Sequence, residues 1–458
     1  MKTILPFLLF LPVVSKAQDA ILDLTKSHSY ANQEVPAYLF PDNIPATHRI
    51  SDIGATLGRV LFYDKRLSNN STVSCASCHQ QENAFGDPAV ASQGVAGTNG
   101  RHSMRLINAR FSAERKFFWD ERAPTLEFQT TQPIQDHIEM GFSGAGGDPD
   151  LSALGLRISE LELYQVLFTA VYGSPEITEV RMQQALAQFV RSIQSFDSKY
   201  DRGFVAAPNP NADFANFTER ENQGKRLFMS PPGGASGGAG CAACHRAPTF
   251  DIDPNTGHNG VTGSLGGGQD LTNTRSPNLR DVVDADGTPH GPFMHDGSKA
   301  TLLDVINHYN AIPAVAPGLD RRLVGPPPRP GGPPQQAQRL NLSEIEKESL
   351  VSFLGTLTGS SVYKDEKWAS PFDSSNDLSF VVLPTVVTFA TELEGEGRKI
   401  ILGAGGVPRV RCLLTTSSDL ENWDEGIGVI ASNSGELSHE MAAASAAKFF
   451  RFVYSPPE

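Results

Sequence analysis

Cys75-Ala76-Ser77-Cys78-His79 and Cys241-Ala242-Ala243-Cys244-His245 decide how this chain is read. Both are C-x-x-C-H, the attachment pattern of c-type haem. Thiols at i and i+3 of a helical turn can bond the two vinyl groups on one edge of a porphyrin, while the adjacent histidine reaches the iron. A thioredoxin-like dithiol needs no following histidine, still less two of them. A zinc site would require cysteine pairs 166 residues apart to converge and would leave the histidines unexplained. The spacing predicts two covalently bound haems, one on Cys75, Cys78 and His79 and one on Cys241, Cys244 and His245.

Similar phrases precede the two motifs: Gly58-Arg59-Val60-Leu61-Phe62 and Gly224-Lys225-Arg226-Leu227-Phe228. Each reads as a short helix whose glycine permits close packing and whose Leu-Phe pair faces the haem. The chain is therefore an internal duplication. An amphipathic helix from about Ile177 to Tyr200 closes the first unit, and Gly203 to Asp213 is the linker. Ser343 and Glu346 form an S-x-x-E capping box that opens the closing helix of the second unit. The proline-rich run Gly325 to Pro334 before it reads as an exposed extended loop. The expected fold is mainly α: two tandem cytochrome c-like haem domains, residues 18–203 and 214–370, followed by a small all-β domain.

A length of 458 residues suggests about three domains at roughly 150 residues each. With 39% apolar and 19% charged residues the chain has ordinary globular composition. Its net charge of −13 argues against nucleic acid, whose phosphates need a basic footprint. Residues 1–17 combine Lys2, an apolar core from Ile4 to Val14 and small residues at Ser15 and Ala17, which reads as a secretory signal cleaved before Gln18. That core is too short to span a bilayer, so the expected location is periplasmic or secreted, with no transmembrane segment after cleavage.

At this point the chain resembles the bacterial dihaem cytochrome c peroxidase and MauG family, over about Pro41 to Gly359. The stretch Leu57 to His79 is similar to the family's N-terminal haem entry. Phe118-Trp119-Asp120-Glu121-Arg122-Ala123 resembles its F-W-D-G-R-A, with Glu121 in place of the glycine. Pro292-Phe293-Met294-His295-Asp296-Gly297-Ser298, followed by Thr301-Leu302, resembles its aromatic-x-H-D-G...T-L segment. The resemblance implies a peroxide site at the N-terminal haem and an electron relay at the C-terminal one. It assigns the catalytic glutamate to Glu139 and the distal glutamine to Gln129, twenty and ten residues after Trp119, which takes the place of the bridging tryptophan. The chemistry agrees, because reducing peroxide needs an open iron face, two electrons and a group that moves a proton between the oxygens.

The departures shape what is expected. Gln132-Pro133-Ile134-Gln135-Asp136-His137-Ile138-Glu139-Met140 stands where the family has G-P-x-x-N-P-x-E-M, so the loop is altered while the glutamate stays. Many relatives close the first haem with a histidine sixteen residues after the C-x-x-C-H histidine; here that position is Val95. The expectation is an open, five-coordinate site needing no reductive activation, with His102 the alternative ligand. The second haem's far ligand, by the same resemblance, is Tyr309, a phenol that favours the oxidised states; Met294 is the competitor. The resemblance also offers a calcium ion near Asn278, but His102 replaces a ligating asparagine, and imidazole suits a hard cation poorly.

After Trp368 the composition changes to short β-branched or aromatic runs, Val381 to Ala390, Arg398 to Leu402, Val407 to Thr415 and Phe449 to Tyr454, separated by turn residues. Residues 375–458 read as a β-sandwich-like accessory module, with Cys412 a buried free thiol. Thr416 to Trp423 with Phe449 to Phe452 resembles S-x-D-L-x-x-W...F-Y-R modules of exported bacterial proteins, which predicts no chemistry. The functional expectation is a peroxidase that reduces hydrogen peroxide with electrons from a small cytochrome c or cupredoxin. The alternatives are a MauG-like enzyme that oxidises a side chain of a partner protein and a non-catalytic electron carrier.

Overall fold

The computed structural model describes residues 20–456 apart from 41, 234–236, 253–255, 326–329, 331, 333, 383–386, 395–396 and 443–448. The expected signal segment 1–17 and most of the proline-rich run lie outside the described residues. The helices are α1 (Asp52–Tyr63), α2 (Cys75–Cys78), α3 (Leu126–Thr131), α4 (Leu151–Ser159), α5 (Glu162–Tyr172), α6 (Glu179–Ser192), α7 (Lys199–Ala206), α8 (Glu219–Met229), α9 (Leu302–Asn310) and α10 (Glu344–Gly355). The strands are β1 (Ile21–Asp23), β2 (His245–Arg246), β3 (Asp251–Ile252), β4 (Ser379–Val381), β5 (Val387–Glu394), β6 (Gly397–Gly405), β7 (Arg411–Ser417), β8 (Ile427–Ile430), β9 (Glu436–Ala442) and β10 (Phe449–Tyr454). No helix among the described residues is long and apolar enough to cross a membrane.

Two helix pairs repeat the same device. In the first, α1 starts where Ser51 Oγ accepts the Gly54 amide, and it crosses α6. In the second, α8 opens with a Thr218/Glu221 capping box and crosses α10, which opens with the expected Ser343/Glu346 box. The glycine of each repeated phrase sits at the crossing. A Cβ on Gly58 would lie 2.0 Å from the Ala185 carbonyl oxygen, and one on Gly224 would lie 1.9 Å from that of Ser349. Of each Leu-Phe pair only the phenylalanine lines the neighbouring cavity; Leu61 and Leu227 turn into the core. Gly58→Ala and Gly224→Ala should each cost about 1–3 kcal/mol through overpacking, read as a lower denaturation midpoint. An unchanged midpoint would show that the helices separate freely.

The expected helix from 177 to 200 stops at Ser192, and a second helix begins at Lys199. Asn108 takes the residues between them: its amide donates to the Ile193 carbonyl, and its Oδ1 accepts the Ser195 amide at 2.8 Å. The chain turns extended at Ile193, and a Ser198/Asp201 capping box restarts it as α7. This helix runs through the start of the expected linker, and Tyr200 and Phe204 pack with the second hydrophobic core.

After α10 the chain returns to the first core, where Val362, Trp368 and Phe372 are buried. Trp368 Nε1 donates to Ser192 Oγ, and the Trp368 carbonyl accepts from Tyr63. The C-terminal region is all β: antiparallel sheets of order β5-β6-β9 and β10-β7-β8, both contributing to one hydrophobic cluster. Cys412 is buried in it and free. Val407 and Val410 pack against the first core, and the Arg409 guanidinium donates to the Val171 carbonyl at the end of α5.

Candidate functional site

Helix α2 is a single turn that sets Cys75 and Cys78 on the wall of a cavity of about 620 Å³, together with His79. Ser77 Oγ accepts the Ser74 amide, which holds the turn at its start. Phe62, Leu186 and Val190 from the α1/α6 pair supply apolar wall. Cys241, Cys244 and His245 line a second cavity, of about 340 Å³, with Phe228, Leu350 and Leu354 from α8 and α10. The cysteine pairs thus serve different cavities, which removes the shared zinc site. Among the described residues there is no group of three or more His, Cys, Asp or Glu able to hold a metal ion.

Redox exchange and metal binding both use thiolate, which burial disfavours at Cys75, Cys78 and Cys241. Burial pushes Cys75 and Cys241 up to about 12 and Cys78 up to about 11. His79 is kept neutral by burial, and its Nδ1 lies 3.1 Å from the Phe85 carbonyl, leaving Nε2 as the basic nitrogen. Burial takes His245 down to about 4, and its Nδ1 is buried without a hydrogen-bond partner. At each motif, two cysteines at i and i+3 outside any disulfide, a neutral histidine beside them and an adjoining cavity fit covalently attached haem.

Gln129 on α3 and Glu139 in the following loop both line the first cavity. The altered loop still places the glutamate: Asp136 Oδ1 accepts the Ile138 and Glu139 amides, and the Glu139 carbonyl accepts the Val95 amide. Gly94 makes that docking possible, since a Cβ there would fall 2.1 Å from the Ile138 carbonyl oxygen. Burial and then the charge of Asp136 push the Glu139 carboxyl up to about 7, with Arg122 pulling the other way. Val95 is not on the cavity wall, and a Cβ on Gly141 would lie 3.0 Å from its Cγ2. His102 is buried with Nδ1 3.0 Å from the Ala89 carbonyl oxygen, and it borders both cavities.

Trp119 also borders both cavities. Its Nε1 donates to the His102 carbonyl at 2.7 Å, and its ring meets His295 edge-on at 6.2 Å. Two residues on, Glu121 has φ +56°, a conformation that glycine adopts without cost.

In the second cavity the two candidate far ligands share one neighbour. Asn259 Nδ2 lies 3.2 Å from the Tyr309 hydroxyl and 3.2 Å from Met294 Sδ. Tyr309 comes from α9, and burial raises its phenol well above the ordinary value. Sequence reasoning missed Asn259, because a lone asparagine in a loop carries no spacing signal.

Calcium finds no support at Asn278. Its Oδ1 accepts the Arg280 amide, its Nδ2 donates to the Thr249 carbonyl, and its own carbonyl faces the Arg105 guanidinium rather than open ligand space.

A family model described as di-haem cytochrome c peroxidase matches residues 53–207. The methylamine utilization protein MauG of Methylophilus methylotrophus is 30% identical over 330 residues, 70% of this chain and 87% of that protein. The cytochrome c551 peroxidase of Nitrosomonas europaea is 26% identical over 321 residues, 67% of this chain and 80% of that protein. Among solved structures, a MauG-like protein associated with microbial copper homeostasis superposes with a TM-score of 0.56 at 27% identity. It covers 74% of this chain and 99% of that one.

Proposed function

This chain belongs to the di-haem cytochrome c peroxidase family, and from that membership we propose that it is an exported dihaem peroxidase fed with electrons by a small cytochrome c or cupredoxin. Each helical unit is then a cytochrome c-like haem domain. The observation that carries this reading is the convergence of Gln129 and Glu139 on the cavity that also holds Cys75, Cys78 and His79. When bound, haem iron supplies the peroxide-binding site and the electron chemistry. Everything else falls to side chains. Glu139 takes a proton from the near peroxide oxygen and returns it to the far one, and Gln129 orients the peroxide by hydrogen bonding. A carboxyl with a pKa of about 7 is poised to do both near neutrality. Phe62, Leu186 and Val190 give the same cavity part of an apolar wall. Trp119 borders both cavities, which supports a role for its indole in relaying electrons between them.

Tyr309 favours a second reading, MauG-like oxidation of a side chain in a partner protein, because a phenol at the second haem would hold it oxidised. One experiment addresses both. The oxidised holoprotein is mixed with one equivalent of hydrogen peroxide, and its visible and near-infrared spectrum is followed. Prompt change at both haems is expected from a site that Val95 leaves open; silence until one haem is reduced would sink that expectation. Tyr309→Phe should alter the resting spectrum of one haem only and Met294→Leu should not. The reverse pattern would make Met294 the ligand and leave the donor-fed peroxidase alone.

A further inference from the structure

The two cavities share a wall: His102, Ser103, Met104, Arg105, Trp119 and Arg275 line both. Two of these side chains are guanidinium cations, and they are satisfied very differently. Arg275 donates to Ser112 Oγ at 2.9 Å and to the Lys116 carbonyl, and stacks over the Phe117 ring. Arg105 has much less. Its Nη1 and Nη2 reach only the carbonyl oxygens of His290 and Asn278, each at 3.3 Å, and its Nε is buried without a partner. Asp281, the carboxylate whose charge bears on it most, makes no ion pair with it. Its Oδ1 instead accepts from the Gly359 amide and the Tyr363 hydroxyl.

A cation withdrawn from water without a counter-anion is strongly unfavourable. Yet the structure makes room for this one. A Cβ on Gly86 would lie 2.8 Å from Arg105 Cγ, so the arginine stem passes over a glycine just after Phe85, whose carbonyl holds His79. From there Arg105 crosses to carbonyl groups 173 and 185 residues further along the chain. A guanidinium at the seam of two cavities, short of acceptors and held in place, calls for carboxylates supplied by what fills those cavities. Haem carries propionate carboxylates, and the planar guanidinium fork matches them.

We infer that Arg105 is a shared anchor that binds a propionate carboxylate from each of the two haems, so that one fixed positive charge acts on both. The inference rests on both cavities holding haem. It predicts that the reduction equilibria of both sites are shifted by one residue that touches neither peroxide nor iron, a positioning role.

The test is spectroelectrochemical titration of the holoprotein, after a pyridine haemochrome count of haems per chain. In Arg105→Gln the electron affinity of both haems should fall about tenfold, equivalent to about 59 mV each for a one-electron couple. Arg105→Lys should retain most of the affinity while shifting the propionate-bending bands in the resonance Raman spectrum, because an ammonium replaces the fork. Unchanged potentials in Arg105→Gln, or a fall at one haem only, would overturn the shared anchor. If Arg105→Gln does not mature, unmoved Raman bands in Arg105→Lys would do the same. Fewer than two haems in the wild type would instead defeat the underlying reading, which separates the two failures.

Discussion

Glu139→Gln should slow peroxide consumption by roughly 10²- to 10⁴-fold, the range that a positioned proton-transfer group commonly contributes, while both haems stay attached. Glutamine keeps the shape and a hydrogen-bonding oxygen but cannot accept a proton. Only the proton-transfer role is then removed. The pH profile gives the sharper signature. Burial and then Asp136 raise the Glu139 carboxyl to about 7, so the unprotonated form that can take peroxide's proton grows as pH rises through that value. Wild-type turnover should therefore climb across this window, and the Gln variant should lose that limb. A variant within threefold of wild type, or one that keeps the same ionisation, would show that another group moves the proton. Linkage gives a further sign: a folded-state pKa above the unfolded value of about 4.3 means that Glu139 opposes folding as pH rises from there through about 7. The Gln variant should recover part of that stability in neutral solution.

What the sequence disclosed and what it concealed divide along the range of the interactions. The C-x-x-C-H motifs and the Ser343/Glu346 box act within a few residues of themselves, and each is where local spacing put it. The break between α6 and α7 was not legible, because Asn108 imposes it from 87 residues away. The return of Val362, Trp368 and Phe372 to the first core is likewise a tertiary event, since these residues follow α10 in the chain, two of them within the expected bounds of the second unit. Strand β9 was missed for a different reason. Glu436 to Ala442 contains no β-branched residue, and pairing with β6 decides its conformation. Glu121 shows the converse: the sequence marked it as a departure from a glycine, and φ +56° explains why glycine suits the position. Among the residues that line the cavities, Glu139 and Gln129 were named through the family resemblance, whereas Asn259 and Arg105 stand out only through which cavities they border.

The second large effect should come from the pair that ties α7 to the second haem-binding loop. Arg280 and Asp201 are almost wholly enclosed, with side chains 0% and 5% exposed, and they meet at 2.8 and 2.9 Å. Arg280 also donates to the Pro248 carbonyl, three residues after His245, while Asp201 accepts from Ser198 at the start of α7 and from Tyr38. Asp201→Asn removes the charge but not the bulk and leaves the guanidinium buried without its ion-pair partner. The expected loss is about 3–5 kcal/mol in chemical denaturation of the holoprotein. Burial acts to raise the Asp201 carboxyl, but the charge and hydrogen bonds of Arg280 outweigh it and hold the group below its ordinary 3.8. The sign follows directly. This stabilisation is fully present above the unfolded pKa and is lost as pH falls below 3.8 through the folded value, so the wild type should approach the variant in acid. Replacing both partners with apolar residues, Asp201→Leu with Arg280→Met, should recover much of the loss, because no charge is then stranded. A single-variant loss under about 1 kcal/mol, the scale of a solvent-screened pair, would mean that water reaches the guanidinium and that something other than this pair holds α7 to the loop.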